Sequence, residues 1–482
     1  MALNESIFTS AANTTKLGRV LNNYSGNTAT MINNYGRSDM NMKYSTNAQG
    51  TTGTTYTVPD NQASADSKHG ANITANEWNS TIWWTGTAHF STEHWNIANN
   101  KLPTLRNMPG TAVQDPVITV NYTPGQIIGS GTQADPFKVH DVETLERVGK
   151  GTNEYAAWSL SAHYLQVRDI TLPAVSAGES NWTAIGGPYL AESFTGTYDG
   201  GGKTITGLTI DATDTNRQGL FRRVMDNGTV KNVGLVNVSI SGGGDVGGIA
   251  GYTESSTISN CYVTGTITCS ANFGSVGGIT GENGGMITNC YVEADITHTG
   301  GQSAGGIAGV NQITIENCYT TGNISSGNST GGVVGVNHGQ ITNCYTTGNV
   351  SGSNVRTGGM AGETSASFGT TVIENNVALN QNVTSTYGST AQLGRVVGSI
   401  ENSNIMINNY ARSGMTITYD GTYTPNPGLT TKDGADITAT QWNSANWWQN
   451  TALFPDSAWE FRAGLPTLKN MPAGAQNPEV QN

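Results

Sequence analysis

The chain has 482 residues, of which 63 are glycine and 12% are charged, and its 22 basic and 34 acidic residues give a net charge of −12. This balance argues against a nucleic-acid-binding surface, and a hydrophobic fraction of 36% argues against disorder. No apolar run reaches the roughly 18 residues that a membrane-spanning helix needs. The composition therefore predicts an all-β protein rich in tight turns.

Residues 1–110 are predicted to be the C-terminal part of one β-helix module, because they recur near the end of the chain. The matching segments are LGRV at 17–20 and 393–396, INNY at 32–35 and 407–410, and LPTL at 102–105 and 465–468. The chain thus opens inside a module, and we interpret it as a fragment of a longer tandem array. A natural protein with a shortened first module is the alternative.

The tryptophans concentrate in the two matching segments, which hold eight of the ten. Trp83 and Trp84 of the first copy correspond to Trp447 and Trp448 of the second. An aromatic face can stack on a sugar ring, so these four side chains are candidates for glycan contact. The spacing W-x4-WW-x10-W also suits a cap over the C-terminal end of a β-helix, and we favour the cap.

Residues 111–135 are predicted to be a linker with a bridging strand at 117–120, and residues 136–482 a complete module. Its first element is a short helix at 141–149. Asp141 can cap the N-terminus of this helix, and Gly149 can end it. We expect this helix to cover the N-terminal end of the stacked strands.

A short repeat follows, marked by five GGxxG phrases that begin at residues 247, 277, 305, 331 and 358. Each repeat contains three short strands, in the first copy VGGIAGY, TISNCYV and TGTIT. Such strands cannot bury a core alone, but stacked repeats pair at about 4.8 Å. The sequence predicts a right-handed parallel β-helix with about eight coils between residues 200 and 420, and a Trp-rich cap at about 435–473.

These repeats resemble the GLUG motif, on phrases such as GGIAG followed by ISNCYVTGTIT. The segment that precedes them, including FTGTYDGGGKTITGLTI, resembles surface proteins of gut Bacteroidetes. GLUG repeats also occur in non-catalytic parts of IgA-cleaving metallopeptidases, whose HExxH zinc motif is not found in this sequence. The resemblance implies a secreted or cell-surface location, and it implies little about biochemical activity.

Two columns of side chains are expected from the repeat. Cys261, Cys290, Cys318 and Cys344 occupy one position in four coils and are predicted to be buried free thiols, with disulfides or a metal as alternatives. Cys269 lies outside this column. The residues that precede the column are predicted to form left-handed corners with stacked amides, and they are Asn260, Asn289, Asn317, Asn343, Asn375 and Asn408.

Catalytic residues, a metal and a cofactor are not expected. The acidic residues Glu254, Glu282 and Glu363 follow GGxxG phrases, but Val310 and Val336 interrupt the row that a carboxylate pair would need. The seven histidines are scattered without metal-ligand spacing. An ice-binding face would need regular Thr-x-Thr strands, which TGTIT, EADIT, TGNIS and TGNVS do not maintain.

We therefore expect a non-catalytic cell-surface or secreted repeat protein that acts as an adhesin or a rigid spacer. It would be anchored at the outer membrane or secreted, and would bind host or dietary glycans or a host surface protein. Neighbouring modules are further expected partners, and nucleic acid is not. The alternatives are a carbohydrate-active β-helix enzyme and a component of a filament or surface array.

Overall fold

The computed structural model describes short segments of residues 1–121 and most of residues 122–482. The described residues are 6–9, 35–37, 41–45, 53–56, 71–73, 77, 80–90, 92–93, 95–97 and 102–105, and 122–482 without 153–154, 354–355, 367–368, 387–391, 402–403, 422, 473, 475 and 482. Most of the coil predicted within residues 1–45 and the strand predicted at 117–120 lie outside them.

The chain forms two compact units, residues 1–123 and 124–482. Their boundary lies inside the predicted linker, and residues 124–135 belong to the second unit. Gly125 shows how this segment is attached. Its amide donates to Asp141 Oδ2 at 2.9 Å, and its carbonyl oxygen accepts from the Tyr155 hydroxyl at 2.5 Å.

The second unit is a β-solenoid whose strands run parallel and stack in five columns, numbered here in the order in which a coil passes through them. The first column runs from Ser275 to Gly394, the second from Phe221 to Ile400 and the third from Phe137 to Ile407. The fourth runs from Ile170 to Ile437 and the fifth from Thr209 to Thr418.

The strands that stay within one column are short. In the first column they are Ser275–Gly277, Ser303–Gly305, Thr330–Gly331, Thr357–Gly358 and Leu393–Gly394; in the second, Phe221–Val224, Ala308–Asn311, Val334–Asn337, Ala361–Thr364 and Val397–Ile400; in the third, Phe137–Val139, His163–Gln166, Thr314–Glu316, Gln340–Thr342, Thr371–Glu374 and Asn404–Ile407; in the fourth, Ile170–Thr171, Tyr319–Thr320, Tyr345–Thr346, Val377–Ala378, Tyr410–Arg412 and Ala435–Ile437; in the fifth, Thr209–Ala212, Ile324–Ser326, Val350–Gly352, Asn382–Ser385 and Thr416–Thr418.

Longer strands in the earlier coils pass through more than one column. They are Thr197–Thr206, Thr229–Gly242, Ala250–Ser259, Tyr262–Cys269, Thr280–Thr288 and Tyr291–His298. The predicted parallel solenoid is confirmed, and the fourth column holds eight strand segments between Lys203 and Arg412. Bends divide two of the three strands predicted in each repeat. One bend lies at GGxxG and divides the first predicted strand, and the other lies at the Asn before Cys and divides the second.

The GGxxG bend depends on close approach between coils. A Cβ atom on Gly305 would lie 2.1 Å from the carbonyl oxygen of Ala308 and 2.5 Å from the Cα atom of Val334 in the next coil. Both obstacles are backbone atoms, which cannot move aside as a side chain can. Glycine is therefore required here for space, and the equivalent Gly277 and Gly331 meet the same obstacles.

The helix at the N-terminal end of the solenoid is Val142–Glu146, within the predicted segment. Asp141 caps it as predicted, because its Oδ1 accepts from the Thr144 amide at 2.8 Å. Leu145 and Val148 are buried on the face that packs against the first coils. Gly149, with φ of +76°, follows in the left-handed conformation expected at a helix end.

The C-terminal end of the solenoid is covered by residues 419–434, whose Tyr423 packs against the core. A buried arginine holds this segment. Arg395 Nη2 donates to the carbonyl oxygen of Gly434 at 2.9 Å, and Nη1 lies 2.5 Å from Asp436 Oδ1. Asp433 accepts from the Arg395 amide and from the Tyr423 hydroxyl. Arg395 belongs to the LGRV phrase, so the repeated phrase has a structural role in this copy.

The Trp-rich segment does not lie over the last coil. Residues 438–481, named here the aromatic strap, pack along the outer side of the fourth column. The strap contains the helices Ala439–Trp442 and Ala445–Asn450 and the antiparallel strands Trp459–Glu460 and Thr467–Leu468. The prediction that this segment buries apolar surface is confirmed. The prediction that it covers the C-terminal end of the solenoid is wrong, because residues 419–434 cover that end.

The first unit repeats the aromatic geometry of the strap. Its described elements are the strands Ser6–Thr9, Tyr35–Arg37, Asn41–Ser45, Gly53–Tyr56, Ala71–Ile73, Trp95–Asn96 and Thr104–Leu105 and the π-helix Trp83–Thr87. The ring centroids of Trp83 and Trp84 lie 5.2 Å apart at 80°, against 5.1 Å and 77° for Trp447 and Trp448. In this pair of tryptophans the long repeat seen in the sequence is also a structural repeat.

Candidate functional site

The asparagine corners are as predicted. Asn260, Asn289, Asn317, Asn343, Asn375 and Asn408 all have φ between 50° and 54°. Their amides hydrogen-bond along the rod, for example from Asn375 Nδ2 to Asn343 Oδ1 at 3.1 Å and from Asn408 Nδ2 to Asn375 Oδ1 at 2.9 Å. The column stabilises the turn between the third and fourth columns and is only partly exposed. Its role is structural.

A second amide ladder lies inside the solenoid and was missed in the sequence. Asn283, Asn311 and Asn337 are fully buried. Asn283 Nδ2 donates to Asn311 Oδ1, and Asn311 Nδ2 donates to Asn337 Oδ1, both at 2.8 Å. Each of the three follows its GGxxG phrase at the same offset, a signal that could have revealed the ladder. Buried amides need such partners, because an unpaired one costs about 1–3 kcal/mol.

The cysteine column is buried and its thiols are free, as predicted. Each sulfur donates to the carbonyl oxygen two residues earlier, at 3.2 Å for Cys261, Cys318 and Cys344 and 3.3 Å for Cys290. Cys269 is also buried, outside the column. Burial raises the pKa of Cys269 to about 11 and raises the pKa of Cys261, Cys290 and Cys318 well above the usual thiol value. These groups fill the core and are poor nucleophiles.

All five thiols are expected to resist reaction with the disulfide reagent DTNB in the folded protein. Burial excludes the reagent from all five thiols. The raised pKa of Cys261, Cys269, Cys290 and Cys318 also leaves little thiolate of these four to react. Titration with DTNB should therefore find almost no reactive thiol in native buffer and five in about 6 M guanidinium chloride, which unfolds most domains. Fewer than five thiols in the denatured, unreduced protein would show a disulfide and contradict the assignment.

Four tyrosines form a stack on the outer side of the fourth column, named here the Tyr column: Tyr262, Tyr291, Tyr319 and Tyr345. Consecutive rings lie 4.8, 4.9 and 5.0 Å apart with interplanar angles of at most 4°. The aromatic strap covers them. Trp448 and Trp459 lie 5.5 and 5.6 Å from the Tyr345 ring, and the Tyr345 hydroxyl donates to the Pro466 carbonyl oxygen at 2.8 Å.

This packing limits the four candidate tryptophans. Trp448 is fully buried, and its Nε1 donates to the Trp442 carbonyl oxygen at 2.8 Å. Trp447 is 9% exposed and Trp84 is 2% exposed, while Trp83 is partly exposed beside Tyr35. Stacking on a sugar needs a free face, so the geometry favours the packing role. Glycan contact by these residues stays a prediction.

Asp245 and Glu282 belong to one charged cluster near a GGxxG phrase, and Glu363 belongs to another, in which Arg356 Nη1 lies 2.8 Å from Glu363 Oε2. Arg217 Nε lies 3.5 Å from Asp245 Oδ2, and Glu282 Oε1 accepts from Gln312 Nε2 at 2.5 Å. Desolvation raises the pKa of Asp245, and desolvation together with the charge of Asp245 raises that of Glu282. In the register of the second column, Val310 and Val336 separate Glu282 from Glu363, as predicted.

Two of the described histidines, His298 and His338, have backbone partners. His298 is buried, and burial lowers its pKa, while its Nδ1 accepts from the Gly301 amide at 3.1 Å. His338 Nδ1 lies 2.9 Å from the Ser365 carbonyl oxygen. Among the described residues, no group of three or more His, Cys, Asp or Glu side chains could hold a metal ion.

The fifth column carries the most regular outer face. Its outward side chains form two rows, because inward positions such as Ile267, Ile296 and Ile324 alternate with outward ones. From Ser241 onward, one row contains only serine and threonine and is named here the hydroxyl row: Ser241, Thr268, Thr297, Ser325, Ser351, Thr384 and Thr418. Asp211 holds the same position one coil before Ser241. As predicted, these strands do not maintain a Thr-x-Thr pair. The prediction missed that the last residue of TGTIT, EADIT, TGNIS and TGNVS is in each case a serine or a threonine.

No helix in the described part of the chain is long and apolar enough to cross a membrane.

Comparison with known proteins identifies the repeat. The GLUG motif matches residues 242–268 and 274–297. Halomucin from Haloquadratum walsbyi is 35% identical over 215 residues, which are 41% of this chain and 2% of that protein. A "Putative Gly-rich membrane protein" from Evansella cellulosilytica is 34% identical over 108 residues, 22% of this chain and 12% of that protein. These relatives do not confirm the expected resemblance to Bacteroidetes surface proteins.

One solved structure also matches. It is described as a "putative immunoglobulin A1 protease from Bacteroides ovatus" at 1.30 Å resolution, with 21% identity and a TM-score of 0.47 over 71% of this chain and 94% of that chain.

The chain spans only a small part of the two sequence relatives, so no activity follows from them. What the comparisons show is that this chain contains GLUG motifs, which form coils of its β-solenoid.

Proposed function

We propose that the chain is part of a non-catalytic repeat protein, at the cell surface or secreted, that acts as a rigid adhesin for neutral glycans. The observation that carries the proposal is the outer face of the fifth column, where exposed hydroxyl and amide groups repeat from coil to coil. Sugars are recognised largely through hydrogen bonds to their hydroxyls, and such a face supplies donors and acceptors without a strong charge.

The construction of the rod supports this role. Each coil contacts its neighbours, so a solenoid can extend a binding surface by repetition. The Asn corners and the buried amide ladder hydrogen-bond successive coils to one another, which favours a stiff rod. The names of the two sequence relatives, a halomucin and a membrane protein, agree with a surface location.

A glycan and mucin array tests the proposal. The full chain, labelled on surface lysines, is expected to bind a subset of neutral glycans. A matched solution of serum albumin with the same degree of labelling controls for nonspecific retention. If the chain binds no glycan at high surface density, the adhesin role is wrong and the rod acts as a spacer.

A carbohydrate-active enzyme is the second candidate, favoured by the raised pKa values of Asp245 and Glu282 beside Arg217. A carboxyl group with a raised pKa can serve as a general acid. The release of reducing ends or unsaturated sugars from polysaccharides during prolonged incubation would favour the enzyme. A filament built by stacking the solenoid end to end is less favoured, because residues 142–146 and 419–434 cover the two ends.

A further inference from the structure

The hydroxyl row offers free hydrogen-bonding groups. Thr268, Thr297, Ser325 and Ser351 lie in consecutive coils and are partly or fully exposed. Among the described residues, none of these four hydroxyls has a hydrogen-bond partner within the protein. Neighbouring strands pair at about 4.8 Å, so the row presents one hydroxyl per coil at that spacing.

The second outward row of the fifth column includes Asp295, Asn323, Asn349 and Asn382, whose side chains already form hydrogen bonds within the protein. Asn323 donates from its amide nitrogen and from Nδ2 to Asp295 Oδ1, at 2.8 and 3.2 Å. Asn382 Nδ2 donates to Asn349 Oδ1 at 3.1 Å, and Asn349 Nδ2 donates to Gln481 Oε1 at 2.7 Å. These contacts hold the second row in place as a polar border. A ligand would therefore meet the hydroxyl row as its main source of unpaired donors.

The other outer faces differ from this one. In the third column, the outward position of Thr314 carries Met286 one coil before it and Val372 and Ile405 in later coils. The outer side of the fourth column is covered by the aromatic strap. The second column presents Glu282 and Glu363 with two valines between them. Only the fifth column, of these four, keeps one chemical group through seven coils.

We propose that the hydroxyl row binds an extended, neutral, β-1,4-linked polysaccharide lying parallel to the rod axis. This inference rests on the proposed glycan-binding function and names its ligand class and its face. The rise per sugar of an extended β-1,4-linked chain is close to the spacing of the coils. Successive sugars in such a chain face opposite ways, so alternate sugars can repeat the same contact with alternate hydroxyls of the row, whereas α-linked chains coil and lose this match.

The charge of the face agrees with a neutral ligand. At the outward positions of the fifth column from Thr209 to Thr418, the carboxylates are Asp211 and Asp295, and no residue is basic. An anionic polymer would find no positive charge there. A neutral one can form hydrogen bonds along its whole length.

The test compares retention of the full chain on cellulose, on chitin and on cross-linked dextran, which is α-linked. The variant Thr297→Ala/Ser325→Ala/Ser351→Ala removes three central hydroxyls from exposed positions. Its matched control, Thr314→Ala/Gln340→Ala/Thr342→Ala, removes three polar side chains from the outer face of the third column. Circular dichroism and thermal unfolding establish that both variants fold.

Wild type and control are expected to bind cellulose or chitin and not dextran, and the hydroxyl-row variant is expected to bind at least 10-fold more weakly. Equal binding by the variant, or equal binding to dextran, would overturn this inference while leaving glycan binding intact. No retention on cellulose or chitin would also overturn it, and binding on the glycan array would then decide whether the proposed function survives. Thermal hysteresis of ice growth without polysaccharide retention would assign the row to ice instead.

Discussion

Replacing Trp448 by alanine is expected to lower the free energy of unfolding of the second unit by about 3–5 kcal/mol. Its indole is completely buried between the Tyr column and the rest of the strap, with Tyr345, Trp447 and Phe454 in ring contact. The substitution would leave a large cavity and remove the hydrogen bond to the Trp442 carbonyl oxygen. Urea unfolding followed by far-ultraviolet circular dichroism measures the change.

Leu453→Ala is the matched control for Trp448→Ala. Leu453 lies in the same strap and is 53% exposed, so its truncation should change the free energy of unfolding by less than about 1 kcal/mol. If Trp448→Ala were as mild as Leu453→Ala, the strap would not be packed on the Tyr column. The position of the strap would then be wrong.

Replacing Asn311 by aspartate is expected to destabilise the protein by about 4 kcal/mol at pH 7, since burial raises a carboxyl pKa by up to 3–5 units. The new oxygen would face Asn337 Oδ1 and the Gln340 carbonyl oxygen, which now accept from Asn311 Nδ2 at 2.8 and 3.2 Å. A charged carboxylate cannot donate there. A protonated carboxyl can donate to one acceptor and still accept from Asn283, so its penalty is small.

The pH dependence of this variant follows from the sign of the shift. The folded state holds its proton more tightly than the unfolded state, in which the aspartate pKa is about 3.9. The penalty is therefore largest above the folded pKa and falls to roughly 1 kcal/mol or less at pH 4. Urea unfolding of variant and wild type at several pH values measures the difference. Asn272→Asp, at an exposed loop position, should show no such dependence, and a pH-independent loss for Asn311→Asp would contradict a buried ladder.

Much of the solenoid could be predicted because each coil repeats the same local chemistry. Asn before Cys indicated a left-handed corner, and Cys261 and its equivalents indicated a buried column. The bends inside the predicted strands were harder to place. They arise from contacts between coils, such as that of Gly305 with Val334, which no single repeat shows.

The position of the aromatic strap could not be derived from the Trp spacing alone. The prediction did not consider which way the side chains of the Tyr column point. Cys261 points into the core, so Tyr262 must point outward, and four stacked tyrosines then require a cover. The hydroxyl row was missed for a related reason, because a search for Thr-x-Thr hides a single position that alternates between serine and threonine.

The most direct test of the account is the dependence of affinity on ligand length. Isothermal titration of the full chain with β-1,4-linked oligosaccharides, from disaccharide to hexasaccharide, measures the dissociation constant for each length. If a polysaccharide lies along the hydroxyl row, a longer ligand spans more coils, and affinity should keep rising from the disaccharide to the hexasaccharide. An affinity that is already complete at the disaccharide would place the ligand in a local pocket and contradict binding along the rod.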